Sequence, residues 1–232
     1  MNDDLGWAQT FATLAGLLYP VGPDNIAKRV TAAAQDLVPG CEEAAICLLD
    51  RHGFAQPVAA TGGPAAAADR GWHEAGNGPC LTAIRDHVVH RIPDLLCEDG
   101  SGAAGPEIAR ATGIRSVVAL PLVAGTDVLG ALTLATASPH AFTPAAVALG
   151  TVLATHAALA LESAAARERN AELADALRSS RLIGMAMGIV MARRLLTPEQ
   201  AFDVLRRGSR RQGRKVRDLA AEIVTTGEPP GR

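Results

Sequence analysis

Aromatic residues make up only 3% of this 232-residue chain. Together with its wealth of alanine, that scarcity is the signature of a high-GC genome and points to no particular fold. The chain lacks an uninterrupted apolar run long enough to span a bilayer, it lacks a secretory leader, and positions 3 and 4 are acidic. A cytoplasmic protein with no membrane partner is therefore expected. Cysteines are few: Cys41, Cys47, Cys80 and Cys97, separated by 6, 33 and 17 positions, with no C-x-x-C among them. Neither a zinc motif nor a redox pair is expected from that spacing. Also missing is any constellation of acid, base and nucleophile, so the chain does not read as an enzyme, and its residues name no cofactor. His87 and His90 would suit a metal only on one helix. The run Val88-Val89-His90-Arg91-Ile92 reads as a strand, which points the two rings to opposite faces, so no metal site is expected. His156, among alanines and leucines, reads as a satisfied imidazole rather than a pH-sensitive interface residue.

What the chain does have is a hidden charge asymmetry. Its net charge is −2, yet residues 167–232 hold 14 Lys and Arg against 8 Asp and Glu, whereas residues 1–166 hold 8 against 16. A basic tail behind an acidic body points to a polyanionic partner. The tail divides into three helices. Thr197-Pro198-Glu199-Gln200 is a helix start, with Thr as N-cap, Pro at the first position and Gln closing a capping box. That helix runs to about Arg211, with Ala201, Leu205, Gly208 and Phe202 on an apolar face and Arg206, Arg207, Arg210 and Arg211 on the flank and end. Gly213 suits a left-handed cap. The last helix buries Val216, Leu219, Ala220, Ile223 and Val224 and stops at Gly227 before Pro229-Pro230. Upstream, Ile183, Met187, Ile189, Val190 and Leu195 would line the facing side of a longer helix. Such a small core is expected to lean on a dimer.

These residues carry a family resemblance. Ala186-Met187-Gly188-Ile189-Val190-Met191, then Arg193, Thr197-Pro198-Glu199, Ala201-Phe202, Leu205-Arg206, Ser209, Arg214-Lys215 and the closing helix Val216 to Val224 resemble the ANTAR domain, a three-helix RNA-binding module of transcription antiterminators. The resemblance implies RNA contacts at Ala186, Gly188, Arg193, Arg194, Phe202, Arg206, Arg207, Ser209, Arg210, Arg211, Arg214 and Lys215. Their chemistry would be phosphate contact and stacking on splayed loop bases. Met187 and Gly213 depart from the Lys and Asn that many relatives carry. Phe202, a lone Phe at helical spacing, reads more readily as core than as a stacking platform.

Residues 1–161 suffice for one domain with its own core. A helix is expected over Asp4 to Tyr19 and another from Pro23-Asp24, carrying Ile26, Val30, Ala33, Ala34 and Leu37 on one face. Ala44 to Asp50 and Phe54 to Ala60 read as strands around Arg51-His52-Gly53. Arg115 to Leu122 and Val128 to Thr136 read as a hairpin through Ala124-Gly125-Thr126-Asp127. Helices alternating with hairpins make an α+β domain with an antiparallel sheet. Gly78-Pro79-Cys80-Leu81, Ile92-Pro93-Asp94-Leu95, Gly113 to Val117, Leu120-Pro121-Leu122 and Leu129 to Leu132 resemble a GAF sensory domain of the actinobacterial type found ahead of ANTAR domains. That fold would wall a small-molecule pocket with the Gly76 to Ile92 and Asp94 to Thr112 regions, Trp72 and Cys80 lying closest. Cys80, near the start of a helix beginning at Pro79, is either a thiol of lowered pKa or a small buried hydrophobe, and the latter is what free cysteine usually is.

Between the domains a helix opens at Thr143-Pro144 and runs with only Gly150 as a candidate break. Residues 162–182 form its linker part, and the RNA-binding domain spans 171–227. A heptad reading puts Leu149, His156, Ser163, Asn170 and Leu177 at one seam position and Val152, Leu159, Ala166, Leu173 and Ser180 at the other. Leu159, Ala166, Asn170, Leu173 and Leu177 are thus expected to make a weak two-stranded coiled coil, with Asn170 fixing register. The resulting expectation is a homodimeric antitermination regulator that binds paired stem-loops of a nascent leader RNA. Two alternatives remain: duplex DNA binding by a helix-turn-helix-like tail, and a GAF-type free methionine sulfoxide reductase using Cys80 and Cys97.

Overall fold

The computed structural model of the chain describes Gly16 and residues 22–97 and 103–229. The helix expected over Asp4 to Tyr19 lies outside the described residues. Two compact units divide the chain, residues 1–166 and 167–232.

In the first unit α1 (Pro23–Leu37) precedes β1 (Glu43–Leu49) and β2 (Ala55–Ala60), then α2 (Gly63–Glu74), α3 (Pro79–Asp86), β3 (His90–Ile92), α4 (Gly105–Thr112), β4 (Ser116–Ala124) and β5 (Asp127–Thr136). The strands form one antiparallel sheet in the order β2-β1-β5-β4-β3. Hairpin β4–β5 turns at Gly125, as the strand pattern requires, and pairs Leu120 with Leu132 and Ala119 with Thr133. The strands and α1 thus follow the expected pattern, though the strand read over Val88 to Ile92 is shorter, His90–Ile92; α2 and α4 are helices that the alternation did not anticipate.

Because side chains alternate along a strand, the sheet has two unlike faces. Ile46, Val118, Leu120, Leu122, Leu132 and Leu134 point to one, where they pack with Ile26, Val30, Phe142 and Leu153 of the large core. Each such fully buried side chain contributes about 1.5–3 kcal/mol. Mostly small residues occupy the other face: Ala45, Cys47, Ala119, Ala131, Thr133 and Ala135, with Val117 and Ile92 toward the β3 edge, under α2, α3 and α4.

α5 (Pro144–Arg194) is a single helix of 51 residues. Thr143 caps it, its hydroxyl accepting from the Ala146 N–H at 3.2 Å. Gly150 does not break it. A Cβ there would come within 2.8 Å of Leu120 Cδ1 and 3.0 Å of Leu134 Cδ1, so the glycine lets the helix lie directly on the sheet. Contrary to the expectation of no membrane-length apolar run, one 18-residue window of α5 is apolar enough to cross a bilayer by length and composition. Leu153, Ala154, Ala157, Ala158, Ala160, Leu161 and Ala164 in this helix are buried in the core, which accounts for the apolar character.

The second unit contains the end of α5, α6 (Pro198–Gln212) and α7 (Val216–Thr226). Its core joins Ala186 and Val190 of α5 to Ala201 and Leu205 of α6 and to Leu219, Ala220 and Ile223 of α7.

Candidate functional site

The start of α6 is built as the sequence dictates. Thr197 Oγ1 accepts from the Gln200 N–H, the Gln200 side chain accepts from the Thr197 N–H at 3.0 Å, and Pro198 takes the first position. Glu199 titrates below its ordinary range because its own backbone N–H, and then Thr197, hydrogen-bond its carboxylate. At the other end Gly213 adopts φ 63°. Its turn is pinned by Ser209, whose hydroxyl donates to the Arg214 carbonyl at 2.5 Å while the Arg214 N–H donates back to the Ser209 carbonyl at 3.1 Å.

With Ala201, Leu205, Gly208 and Ser209 facing inward, helical geometry places Arg206, Arg207, Arg210 and Arg211 on the outward arc. All four are exposed, as are Arg214, Lys215, Arg193 and Gly188, while Arg194 is half-buried. Phe202, Arg206 and Arg210 follow one another a turn apart on one line, with Arg207 and Arg211 on the next. Among the described residues Arg206 pairs with Asp203 at 2.8 Å, Arg214 with Glu222 at 2.5 Å and Arg217 with Asp218 at 3.6 Å. Both partners of each pair are about half exposed, the regime in which an ion pair contributes at most about 1 kcal/mol and yields readily to a stronger anion. Arg207, Arg210 and Lys215 are in none of these pairs.

Three expectations need correcting. Ala186 and Ser209 do not join the exposed set: Ala186 is fully buried in the three-helix core, and Ser209 is buried with its hydroxyl bonded to the α6–α7 turn. Phe202 is not core but 41% exposed beside Arg206, because it sits one residue past the inward face. Leu195, expected to pack inward, is 92% exposed at φ 51°, where α5 has already ended.

On the sheet's small-residue face, Ala45, Ala65, Ala68, Asp69, Trp72, Ile114, Thr133 and Ala135 line a cavity. Its open volume, about 10 Å³ for the centre of a water-sized sphere, is that of a single water. Trp72 Nε1 is buried there without a hydrogen-bond partner. Burial pushes the Asp69 carboxyl above its ordinary pKa, and His73 partly offsets this. Two of the motif segments are clamped together close by. Arg115 donates through Nε and Nη2 to both oxygens of Asp94, at 2.8 and 2.6 Å, and this guanidinium holds the Asp94 carboxyl well below the usual carboxylate range.

Cys80 lies beside the cavity rather than in its wall, and it is no free thiol. It is disulfide-bonded to Cys47 of β1, which corrects the expectation that no redox pair exists. The 33-residue separation hides the pairing, since only the packing of α3 on the sheet brings the two together. Cys97 stays apart, its thiol donating to Asp94, so the pairing of Cys80 with Cys97 required for the reductase alternative is not formed. His87 caps α3 in the left-handed region at φ 59° and is exposed, whereas His90 is half-buried in β3. His156 is half-buried, Nδ1 at 2.9 Å from the Val152 carbonyl.

Comparison with known proteins follows these two units. The GAF domain model matches residues 21–162 and the ANTAR domain model residues 171–224. Solved structures agree with the first unit in fold. The GAF domain of Acinetobacter phosphoenolpyruvate-protein phosphotransferase superposes with TM-score 0.54 at 15% identity, covering 72% of this chain and 96% of that one. A GAF domain/HD domain protein from Geobacter sulfurreducens gives 0.50 at 25% identity, covering 65% and 97%. The fRMsr of Staphylococcus aureus in its reduced form gives 0.53 at 15% identity, covering 67% and 94%. Among curated proteins none matches. The small-residue sheet face under α2 and α3, followed by the basic three-helix tail, places the chain in the GAF-domain family with an ANTAR domain behind the sensory fold, the architecture of an ANTAR-type regulator.

Proposed function

We propose that the chain is a cytoplasmic, homodimeric antitermination regulator whose ANTAR domain binds paired stem-loops of a nascent leader RNA under control of the GAF domain. One observation carries this reading: the outward arc of α6 presents Arg206, Arg207, Arg210 and Arg211, with half-exposed Phe202 in line and Arg214 and Lys215 at the turn. Guanidinium forks suit phosphates, and an exposed ring beside them suits an unstacked loop base. Two such modules on a dimer engage two loops, the second from a raised effective concentration.

Filter binding to a leader RNA with two adjacent hairpins tests the proposal. Affinity is expected to fall with salt by about 0.7 in log K per decade for each phosphate contacted on single strands. Replacing Arg206, Arg207, Arg210, Arg211, Arg214 and Lys215 with Ala should abolish binding while leaving the helical signal unchanged. Undiminished affinity of that variant, or preference for duplex DNA over the hairpins at equal salt, would overturn it.

A further inference from the structure

We propose that Cys47 and Cys80 form a reversible dithiol–disulfide site through which the GAF domain reads the thiol–disulfide balance around it. The inference deepens the sensory reading above by naming a signal, and it rests on that reading for its output. The bond joins the middle of β1 to the second residue of α3. Both cysteines are buried, 2% and 4% exposed, in a cluster of small residues with Ala55, Ala83, Ala119 and Ala131. A domain with a large aliphatic core needs no staple, and disulfides inside reducing cells are as a rule transient and redox-sensing or catalytic.

The surroundings allow such a bond to open and close. α3 has only eight residues, and exposed residues flank it on both sides, Glu74 to Asn77 before and His87 to Val89 after. Positive φ at Gly76, Gly78 and His87 marks both junctions as turns, so the helix can separate locally from the sheet without unfolding the core. Cys80, in the first turn of α3, moves out with that helix and is the thiol that a small disulfide reaches first. The remaining cysteines are placed otherwise: burial pushes the Cys41 thiol up to about 12, and Cys97 sits beside Asp94.

Oxidation proceeds by thiol–disulfide exchange with a small disulfide, RSSR. The Cys80 thiolate attacks one sulfur, forming a mixed disulfide and expelling RS⁻. The Cys47 thiolate then attacks Cys80 Sγ, forming the Cys47–Cys80 bond and expelling the second RS⁻. Both thiol protons end on the two RS⁻ groups, so one dithiol and one RSSR give one protein disulfide and two RSH. The dithiol loses two electrons and the small disulfide gains them, and excess RSH reverses the exchange.

The consequence for the sensor lies at Trp72. A Cβ on Gly78 would come within 2.6 Å of Trp72 Cβ, so the backbone entering α3 rests on the residue that walls the cavity. Releasing α3 from β1 relaxes that contact and opens a cavity otherwise sized for one water.

The test uses the full chain with tryptophan 7 replaced by Phe, so that Trp72 alone reports, equilibrated in reduced and oxidised glutathione at graded ratios. Alkylation and peptide mapping are expected to show Cys47 and Cys80 gaining label together as a two-electron couple. Trp72 emission should follow the same midpoint, and the paired change should be lost with Cys47→Ser or Cys80→Ser, Cys47→Ser leaving at most the unresolved mixed disulfide of Cys80 with glutathione. RNA affinity should differ between the end states by about fivefold or more, the lower range of allosteric coupling. Full labelling of both cysteines at every glutathione ratio, an emission indifferent to redox state, or equal RNA affinity in both states would overturn the proposal. If neither state binds RNA, the antitermination reading fails instead, and the couple stands or falls on labelling and emission.

Discussion

Leu173→Glu with Leu177→Glu should convert the protein from dimer to monomer. Val152, Leu159, Leu173 and Leu177 of α5 are 37%, 47%, 59% and 63% exposed, and they fall on the two seam positions of the heptad reading. Their combined exposure equals that of about two whole aliphatic side chains per chain, or four in a parallel pair. At about 1.5–3 kcal/mol for each side chain removed from water, pairing gains about 6–12 kcal/mol. Association itself costs an estimated 4–15 kcal/mol, so the seam supports a dimer only narrowly, as expected of one with polar layers at His156, Ser163 and Asn170. The two leucines supply more than half of the gain, and their replacement also places like charges in register. The dissociation constant should therefore rise at least about a hundredfold, equivalent to about 2.8 kcal/mol. Sedimentation velocity over a range of concentrations measures this directly. Both positions are exposed, so far-UV circular dichroism should not change. A wild-type chain that stays monomeric at the highest concentration reached, or a double variant that dimerises like the wild type, would refute the reasoning.

Thr197→Ala removes the side-chain half of the capping box at the start of α6, the bond from the Gln200 N–H to the hydroxyl, and should destabilise the second unit by about 1 kcal/mol in chemical denaturation, whereas Thr197→Ser should retain most of it. An unchanged midpoint for Thr197→Ala would mean that the cap is redundant. Asp69 should make the stability difference between wild type and Asp69→Asn depend on pH. Its folded pKa is raised by burial above the ordinary 3.8, so between those two values the folded state holds more protons than the unfolded one. Wild-type stability relative to the Asn variant must then fall as pH rises through that window and level off above it. A difference that is constant with pH would refute the assignment. The Asp94–Arg115 pair has the opposite dependence, losing stability as pH falls, but it is common to both proteins and cancels.

Elements governed by local chemistry were legible in the sequence. The Thr197–Gln200 box, Gly213 as a left-handed cap, the β4–β5 hairpin and the apolar face of α1 follow from contacts within a few residues. Legibility failed where a residue's surroundings come from distant chain. Phe202 shares helical spacing with the α6 core, but the axis of α5 decides which side of that stripe is covered. Ala186 sits in a motif associated with RNA and is nonetheless core, since an alanine where three helices converge permits their close approach. α2 is hard to see because its buried face consists of Ala65, Ala68 and Asp69, with Trp72 as the one large apolar side chain. The Cys47–Cys80 bond is the extreme case: nothing local to either cysteine anticipates it, and only the laying of α3 across β4 and β5, next to β1, does.

The unlike faces of the sheet explain why a signal would enter on one side and leave by the other. Small residues on the α2–α3 face let short helices settle close to the strands but give them little apolar surface to hold, so local opening there costs far less than opening the opposite face. The opposite face is filled with leucine and isoleucine, and such close-packed side chains pass displacement on rather than absorb it. The two faces share backbone. Cys47 pairs across with Ala131, and the adjacent Ile46 pairs with Leu132, which in turn pairs with Leu120. Leu120 meets α5 at Gly150, where even a methyl group would collide. A change in how α3 is tied to β1 therefore reaches α5 through strands one residue out of phase, at a contact with no slack. That contact belongs to the same helix that carries exposed Leu173 and Leu177, and if the proposed pairing through them forms by so small a margin, a modest displacement would suffice to re-register it.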